Sequence, residues 1–304
     1  GARAGDDPED LHRLRVTARR IDATISLFSA QLPPALIATR KTTKSVLRTL
    51  GAARDLDVQL QELAGYCDHL AEEDRVAAEP LRERLEREQA VARSRMIRGL
   101  DSTPVRRWLE TLGEASQAAQ DQGGEPAIQV MPARVRQRFR KLRKSVGKLR
   151  PKSSMDDYHQ VRRRAKQLRY ATECGASLIG KPADELLKAL RRLQDKLGAY
   201  QDAHIAQQRL AALAAQPEGL PPATLFLMGR FAEQQRQITR EARRTLERSW
   251  RKVRGKRWKA LRGRLESLSD AALTQLPAEA APAALVAGDI APQAQVVEAR
   301  TFRH

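Results

Sequence analysis

Apolar and small residues recur at Leu11, Leu14, Ala18, Ile21, Ile25 and Phe28, in alternating steps of three and four. That spacing gathers them on one face of a helix and predicts that the face is buried. Asp7-Pro8-Glu9-Asp10 marks the start, with a capping acid, a proline suited to the first turn, and carboxylates at the positive end of the helix dipole. Leu32-Pro33-Pro34 ends this helix and opens a second. The second is expected to run to Leu50 and to break at Gly51, with a third over 54–70. A charge-laced helix is predicted over 74–99, and another from Thr103-Pro104 to about Gln122. Gly123-Gly124-Glu125-Pro126 reads as a turn, followed by a very basic helix over 133–149. Residues 153–157 cap a further helix over 158–179, and Gly180-Lys181-Pro182 reads as a stop and restart. The next helix is expected to end at Leu197 and to break at Gly198, with another reaching Ala215. After a loop over 217–222, a long helix over 224–250 leads into a basic last helix ending near Leu268. Residues 271–304 are rich in Ala and Pro with weak periodicity and read as a disordered tail.

No stretch carries the period-two alternation of a strand, and the commonest residues (Ala, Leu, Arg, Glu, Gln) are helix formers. The fold class expected is all-α. The 304 residues suffice for two compact halves. Two cysteines provide neither a disulfide framework nor a zinc site. No apolar run reaches the roughly 18 residues needed to span a bilayer, and no signal-peptide pattern opens the chain. These features predict a cytoplasmic protein with no membrane partner. The chain begins at Gly1, which leaves an upstream segment open. The formal net charge of +19 changes the picture most. Self-repulsion on that scale is expected to be offset by an anionic partner.

The basic residues are patterned by a duplication. Leu11-His12-x-x-Arg15-x-x-x-Arg19 is matched 147 residues later by Tyr158-His159-x-x-Arg162-x-x-x-Lys166. Leu50-Gly51-x-x-x-Asp55 is matched at the same offset by Leu197-Gly198-x-x-x-Asp202, and Lys41 and Lys44 fall on Lys188 and Arg191. Repeated matches at one offset argue for two copies of a helical unit, over about 6–150 and 153–268. Two such copies commonly pack about a pseudo-two-fold axis, which would turn their equivalent stripes towards a central groove or pore.

His12, Arg15, Arg19 and Asp22 step along one face, about 100° round the helix from the apolar stripe. His159, Arg162, Arg163, Lys166, Arg169 and Tyr170 form a longer ridge with no acid among its members. Like charges at i,i+4 repel, so the ridge suits a polyanion lying along it. Lys41, Lys44 and Arg48 make a shorter ridge, and Lys188 and Arg191 its partner. Arginine suits phosphate because its planar fork engages two oxygens at once, and lysine adds a mobile charge. Asp55 and Asp202 are assigned to orienting the basic side chains or to capping helices after the glycine breaks. The basic runs over 134–150 and 240–264 read as exposed faces, and Trp250 and Trp258 within the latter as core.

Gly175-x-x-x-x-Gly180-Lys181 imitates a phosphate-binding loop, but Pro182 stands where a magnesium-binding hydroxyl belongs and no strand precedes it. Neither metal-ligand spacing nor a nucleophile–base pair is evident. No cofactor, no metal and no catalytic residue is expected, so a binder is favoured over an enzyme.

The motifs together resemble the CHAD family, the histidine-containing α-helical domains. The resemblance rests on His12-Arg13-Leu14-Arg15-Val16-Thr17-Ala18-Arg19-Arg20 with Leu50-Gly51-Ala52-Ala53-Arg54-Asp55-Leu56-Asp57. In the second half it rests on His159-Gln160-Val161-Arg162-Arg163-Arg164-Ala165-Lys166-Gln167-Leu168-Arg169-Tyr170 with Leu197-Gly198-Ala199-Tyr200-Gln201-Asp202-Ala203-His204. It spans about residues 6–268. It implies two helical bundles related by pseudo-two-fold symmetry around a basic channel that holds inorganic polyphosphate, with phosphate or sulfate ions as small occupants, and association with polyphosphate granules. The expected polyphosphate-binding residues are His12, Arg15, Arg19, Arg20, Lys41, Lys44 and Arg48 on one side. On the other they are His159, Arg162, Arg163, Lys166, Arg169, Tyr170, Lys188 and Arg191. Gln167 stands where the first copy has Arg20, and Asp22 where the second has Arg169, so the halves differ. A nucleic-acid-binding protein is the alternative, and a phosphoanhydride hydrolase a third reading.

Overall fold

The computed structural model describes residues 8–121, 127–150, 152–217 and 219–274. The expected turn at 123–126 and most of the expected tail lie outside these residues. Among them the chain is helical throughout, with no strand. The helices are α1 (Pro8–Leu27), α2 (Pro34–Cys67), α3 (Glu72–Leu100), α4 (Thr103–Asp121), α5 (Ala127–Lys148), α6 (Met155–Cys174), α7 (Ala176–Ile179), α8 (Lys181–Ala215), α9 (Pro222–Arg254) and α10 (Lys256–Thr274).

Three apolar clusters hold them together. Leu11 and Ala18 of α1 pack with Val46, Leu50 and Ala53 of α2, Met96 of α3 and Trp108 of α4. The largest cluster joins α5 to α10 through Val135, Phe139, Leu168, Leu190, Trp250 and Leu265. The third joins the far ends of the long helices, with Leu56 and Leu63 of α2, Leu81 of α3, Leu210 of α8 and Phe231 of α9. Trp250 and Trp258 both stack on Phe139, with ring centroids 5.9 and 3.6 Å apart. Trp250 is a core residue, and Trp258 is half-buried and packs against the same core.

Two expected breaks do not occur. α2 runs through Gly51 and α8 through Gly198 without interruption. Glycine in a helix interior is unfavourable by only about 1 kcal/mol relative to alanine, less than the burial of the adjoining Leu50, Ala53 and Leu197 contributes, and an arginine from another helix lies against each. A Cβ at Gly51 would lie 3.4 Å from Arg15 Nη1, and one at Gly198 would lie 3.4 Å from Arg162 Nη2. The capping role assigned to Asp55 and Asp202 falls with the breaks, because both lie inside continuous helices.

Other punctuation follows the sequence. The Ser154 hydroxyl accepts from the Asp157 amide, and the Asp157 carboxylate accepts from the Ser154 amide, forming a reciprocal capping box at the start of α6. Gly180 adopts φ 74°, a left-handed conformation that ends α7 and opens α8, with Pro182 in the first turn. The Gly175–Lys181 segment is therefore a helix junction, and no strand leads into it. α5 begins six residues ahead of the expected start and carries Pro132 inside it. α10 extends to Thr274, into the segment expected to be tail.

Candidate functional site: a cationic cavity between four helices

α1, α2, α6 and α8 enclose a cavity of about 720 Å³. Its wall is formed by Arg15 and Arg19 from α1, Arg48, Gly51, Ala52, Arg54 and Asp55 from α2, His159, Arg162, Arg163 and Lys166 from α6, and Gln201 and Asp202 from α8, with Leu47, Val58 and Ile205 between them. Seven lysine and arginine side chains thus face two carboxylates. Arg15 and Arg162, Arg19 and Lys166, Gly51 and Gly198, and Asp55 and Asp202 are each 147 positions apart in the sequence.

Local packing holds the cations in place. Leu11 and Ala18 turn one face of α1 into the core, which leaves Arg15 and Arg19 at its border. Arg15 Nη1 donates to the Leu50 carbonyl at 2.9 Å, over the surface that Gly51 leaves open. Buried Val161, Ala165 and Leu168 anchor α6. Arg162 Nη1 donates to Gln201 Oε1 at 2.6 Å, and His159 Nδ1 lies 3.2 Å from the same oxygen. Arg162 Nε is buried with no hydrogen-bond partner. No described carboxylate lies within ion-pair reach of the Lys166 ammonium.

The crowding shifts several protonation equilibria. Burial, then Arg162, Arg19 and Arg15, push Lys166 down to about 6, with Asp202 opposing. Burial and the neighbouring Arg19 lower Arg15 to about 10, so it stays charged at neutral pH. Arg19 is lowered by burial first, partly offset by Tyr170. The Asp202 carboxyl is raised by burial, against the pull of Arg162. A cluster of basic groups in which Arg15 is buried and Arg19, Arg54, Arg162 and Lys166 are half-buried, with few counter-charges, carries an electrostatic cost, and an anion in the cavity would relieve it.

Of the residues singled out in the sequence, Arg15, Arg19, Arg48, Asp55, His159, Arg162, Arg163, Lys166 and Asp202 line this cavity. The His12 position is helical, but its side chain lies outside the described residues. The others are placed elsewhere. Arg20 is 61% exposed and lies 3.7 Å from Glu173, because it is one step round α1 from Arg19. Arg169 pairs with Glu173 at 2.7 Å, donates to Gln194 at 3.0 Å and covers the ring of Tyr170, which is itself buried. Lys41 lines a neighbouring groove that it shares with Arg48, and Lys44 is exposed outside both. Lys188 sits in a separate small pocket with Arg192, Lys252 and Arg257, and Arg191 is exposed. Lys188 and Arg191 are about three turns up α8 from Gln201, which is why matching positions do not reach one cavity. The inequality of the halves has partners too: Gln167 accepts from Arg164 at 3.1 Å, and Asp22 accepts from Arg40 Nε at 2.9 Å.

Sequence reasoning missed Arg54 and Gln201. Both stand immediately before the motif aspartate, and they too are 147 apart. That shared position was the available signal.

A helical protein built around a cationic cavity is the class that fold and site define. A family model, the CHAD domain, matches residues 1–211, and the chain belongs to that family. Among solved structures it is similar to the CHAD domain from the plant Ricinus communis, at 25% identity and a TM-score of 0.57, covering 86% of this chain and 82% of that one. It is also similar in fold to PptA from Streptomyces chartreusis, at 21% identity and a TM-score of 0.63, covering 82% of this chain and 91% of that one. No curated protein matches the chain. Among the described residues no helix is long and apolar enough to cross a membrane.

Proposed function

We propose that the chain binds inorganic polyphosphate in the cavity between α1, α2, α6 and α8, without hydrolysing it, and that this binding targets it to polyphosphate granules. Polyphosphate binding is a known property of the family to which the chain belongs. The observation that carries the reading is the set of seven lysine and arginine side chains facing two carboxylates, with Arg162 Nε buried without a partner. Guanidinium forks supply paired donors to phosphate oxygens, and a flexible polymer brings one negative charge after another. The two copies of the repeat contribute a wall each, about a pseudo-two-fold axis. Asp55 and Asp202 moderate the repulsion between cations and leave the polymer to the arginines. Phosphate or sulfate ions are the smallest occupants. His159 is the sole aromatic ring among the described lining residues, so single-stranded nucleic acid has little to stack on.

A combined R15A/R19A/R162A/K166A variant should remain folded by circular dichroism and lose polyphosphate binding. Retained affinity would refute the site. Incubation with polyphosphate and divalent metal should release no phosphate, and release would refute the non-catalytic reading.

A further inference from the structure

A second cationic surface lies outside the cavity. α5 carries eight arginines and lysines and no carboxylate. Its buried side chains, Val135, Phe139, Leu142 and Val146, fix which face is turned inward. Arg140, Lys144 and Lys148 project outward in a line of i,i+4 steps, and all three are exposed. The line is about 12 Å long. None of the eight forms an ion pair with a described carboxylate. On α3, by contrast, Arg75, Arg82, Arg84 and Arg87 are each paired with a glutamate on the same helix. Repulsion at i,i+4 costs a few tenths of a kcal/mol per pair, and α5 carries it uncompensated. Lys141 is held below its ordinary value by burial, then by Arg138, Arg164 and Arg134.

The surface adjoins the cavity wall through α6. Arg138 Nη1 donates to Gln167 Oε1 at 3.4 Å, and Arg164 Nη1 donates to the same oxygen at 3.1 Å. Arg163 and Lys166, the chain neighbours of those two α6 residues, line the cavity. α6 is thus a partition between the cavity and Arg138 of α5, while the Arg140–Lys148 line lies about 160° or less round α5 from Arg138, on its outward face.

We propose that the outer face of α5 is a second docking track for polyphosphate, engaging the stretch of a long chain that extends beyond the cavity. The inference rests on the cavity reading above. Charge complementarity calls for a polyanion, and the single row of cations suits a narrow polymer. α5 itself offers bases no stacking platform, because Phe139, its one aromatic residue, is buried beneath Trp258.

The test is a full-length R140E/K144E/K148E variant, titrated with tripolyphosphate, long-chain polyphosphate and duplex DNA over a range of salt. Long-chain affinity should fall about tenfold or more, and the slope of log K against log salt should become shallower by about 2, as three phosphate contacts are lost. Tripolyphosphate affinity should stay within about twofold of wild type, since each released counterion is local to its contact. Unchanged long-chain affinity overturns the proposal, and so does equal weakening for short and long chains. Loss of duplex DNA binding with long polyphosphate unaffected overturns it in favour of a nucleic-acid face. If wild type fails to bind tripolyphosphate while the variant still loses the long chain, the cavity reading fails and the α5 track stands. An R140Q/K144Q/K148Q variant, which should show the same pattern at smaller amplitude, keeps the test available should the charge reversal unfold.

Discussion

Lys166 couples occupancy of the cavity to protons. In the empty protein its ammonium is disfavoured by burial and by Arg162, Arg19 and Arg15, so it is protonated only below about pH 6. Asp202 opposes this. A polyphosphate segment in the cavity supplies the missing negative charge and returns the group towards the ordinary lysine value near 10.5. Between those two limits, binding draws in close to one proton. Affinity for the polymer should then fall about tenfold for each unit that the pH rises above 6, or about a hundredfold between pH 6.5 and 8.5, worth about 3 kcal/mol. The sign for folding is separate. A lysine whose folded value is depressed contributes stability that is present above 10.5 and is lost as the pH falls towards 6, because the unfolded chain binds the proton first. The empty protein should therefore melt progressively lower across that window, and bound polymer should reverse the trend. Calorimetric titration at pH 8 with long-chain polyphosphate, in two buffers of different ionisation enthalpy, reads the proton uptake directly. K166M should abolish the uptake and flatten the pH dependence, and H159Q should leave the lysine contribution in place. Zero uptake in wild type, or equal uptake in K166M, would refute the coupling.

Two further outcomes follow from residues beside the cavity. G51A should raise the melting temperature, by an amount corresponding to about 1 kcal/mol, and leave binding intact, since its Cβ meets Arg15 Nη1 at an ordinary 3.4 Å. G51L should displace that guanidinium from the Leu50 carbonyl and weaken polyphosphate binding, and equal affinity in both variants would show the glycine to be unconnected with the arginine. Glu62 Oε2 is buried without a partner, and burial, then Asp202, raise its carboxyl to about 7. A raised acid contributes stability that is complete below its unfolded value and is lost as the pH rises through 7, so E62Q should melt above wild type at pH 8 and level with it at pH 5. The same difference at both pH values would rule this out.

The sequence disclosed most where a residue's face decides its fate. The apolar stripe of α1 and the buried positions of α6 determined which sides turned inward, and Arg15, Arg19, Arg162 and Lys166 followed from the 3.6-residue period. It disclosed least where tertiary packing overrides local preference. Gly51 and Gly198 looked like stops because glycine disfavours helix, but a single glycine costs only about 1 kcal/mol, which the packing of the neighbouring Leu50, Ala53 and Leu197 outweighs. Periodicity also says nothing about which stretch of a long helix meets the site. Lys188 therefore shares a repeat position with Lys41 yet occupies a different pocket, and Arg54 and Gln201 were hidden in positions that the motif leaves unspecified.

The uninterrupted course of α2 and α8 sets the mechanics that the proposed recognition would have. At 34 and 35 residues, each is a rod about 50 Å long. α2 is embedded at mid-length beside Val46 and Leu50 and near its C-terminal end beside Leu63, while α8 is held near Leu190 and again near Leu210. Two beams each held at two points, with unbroken helix between those points, leave no hinge there, so the gap between them has a set width. Accommodation must come from the guest, whose own torsional freedom is surrendered on entry. On the proposed reading, such a slot would select by pliancy as well as by charge, admitting a thread and rejecting a stiff duplex of the same charge density.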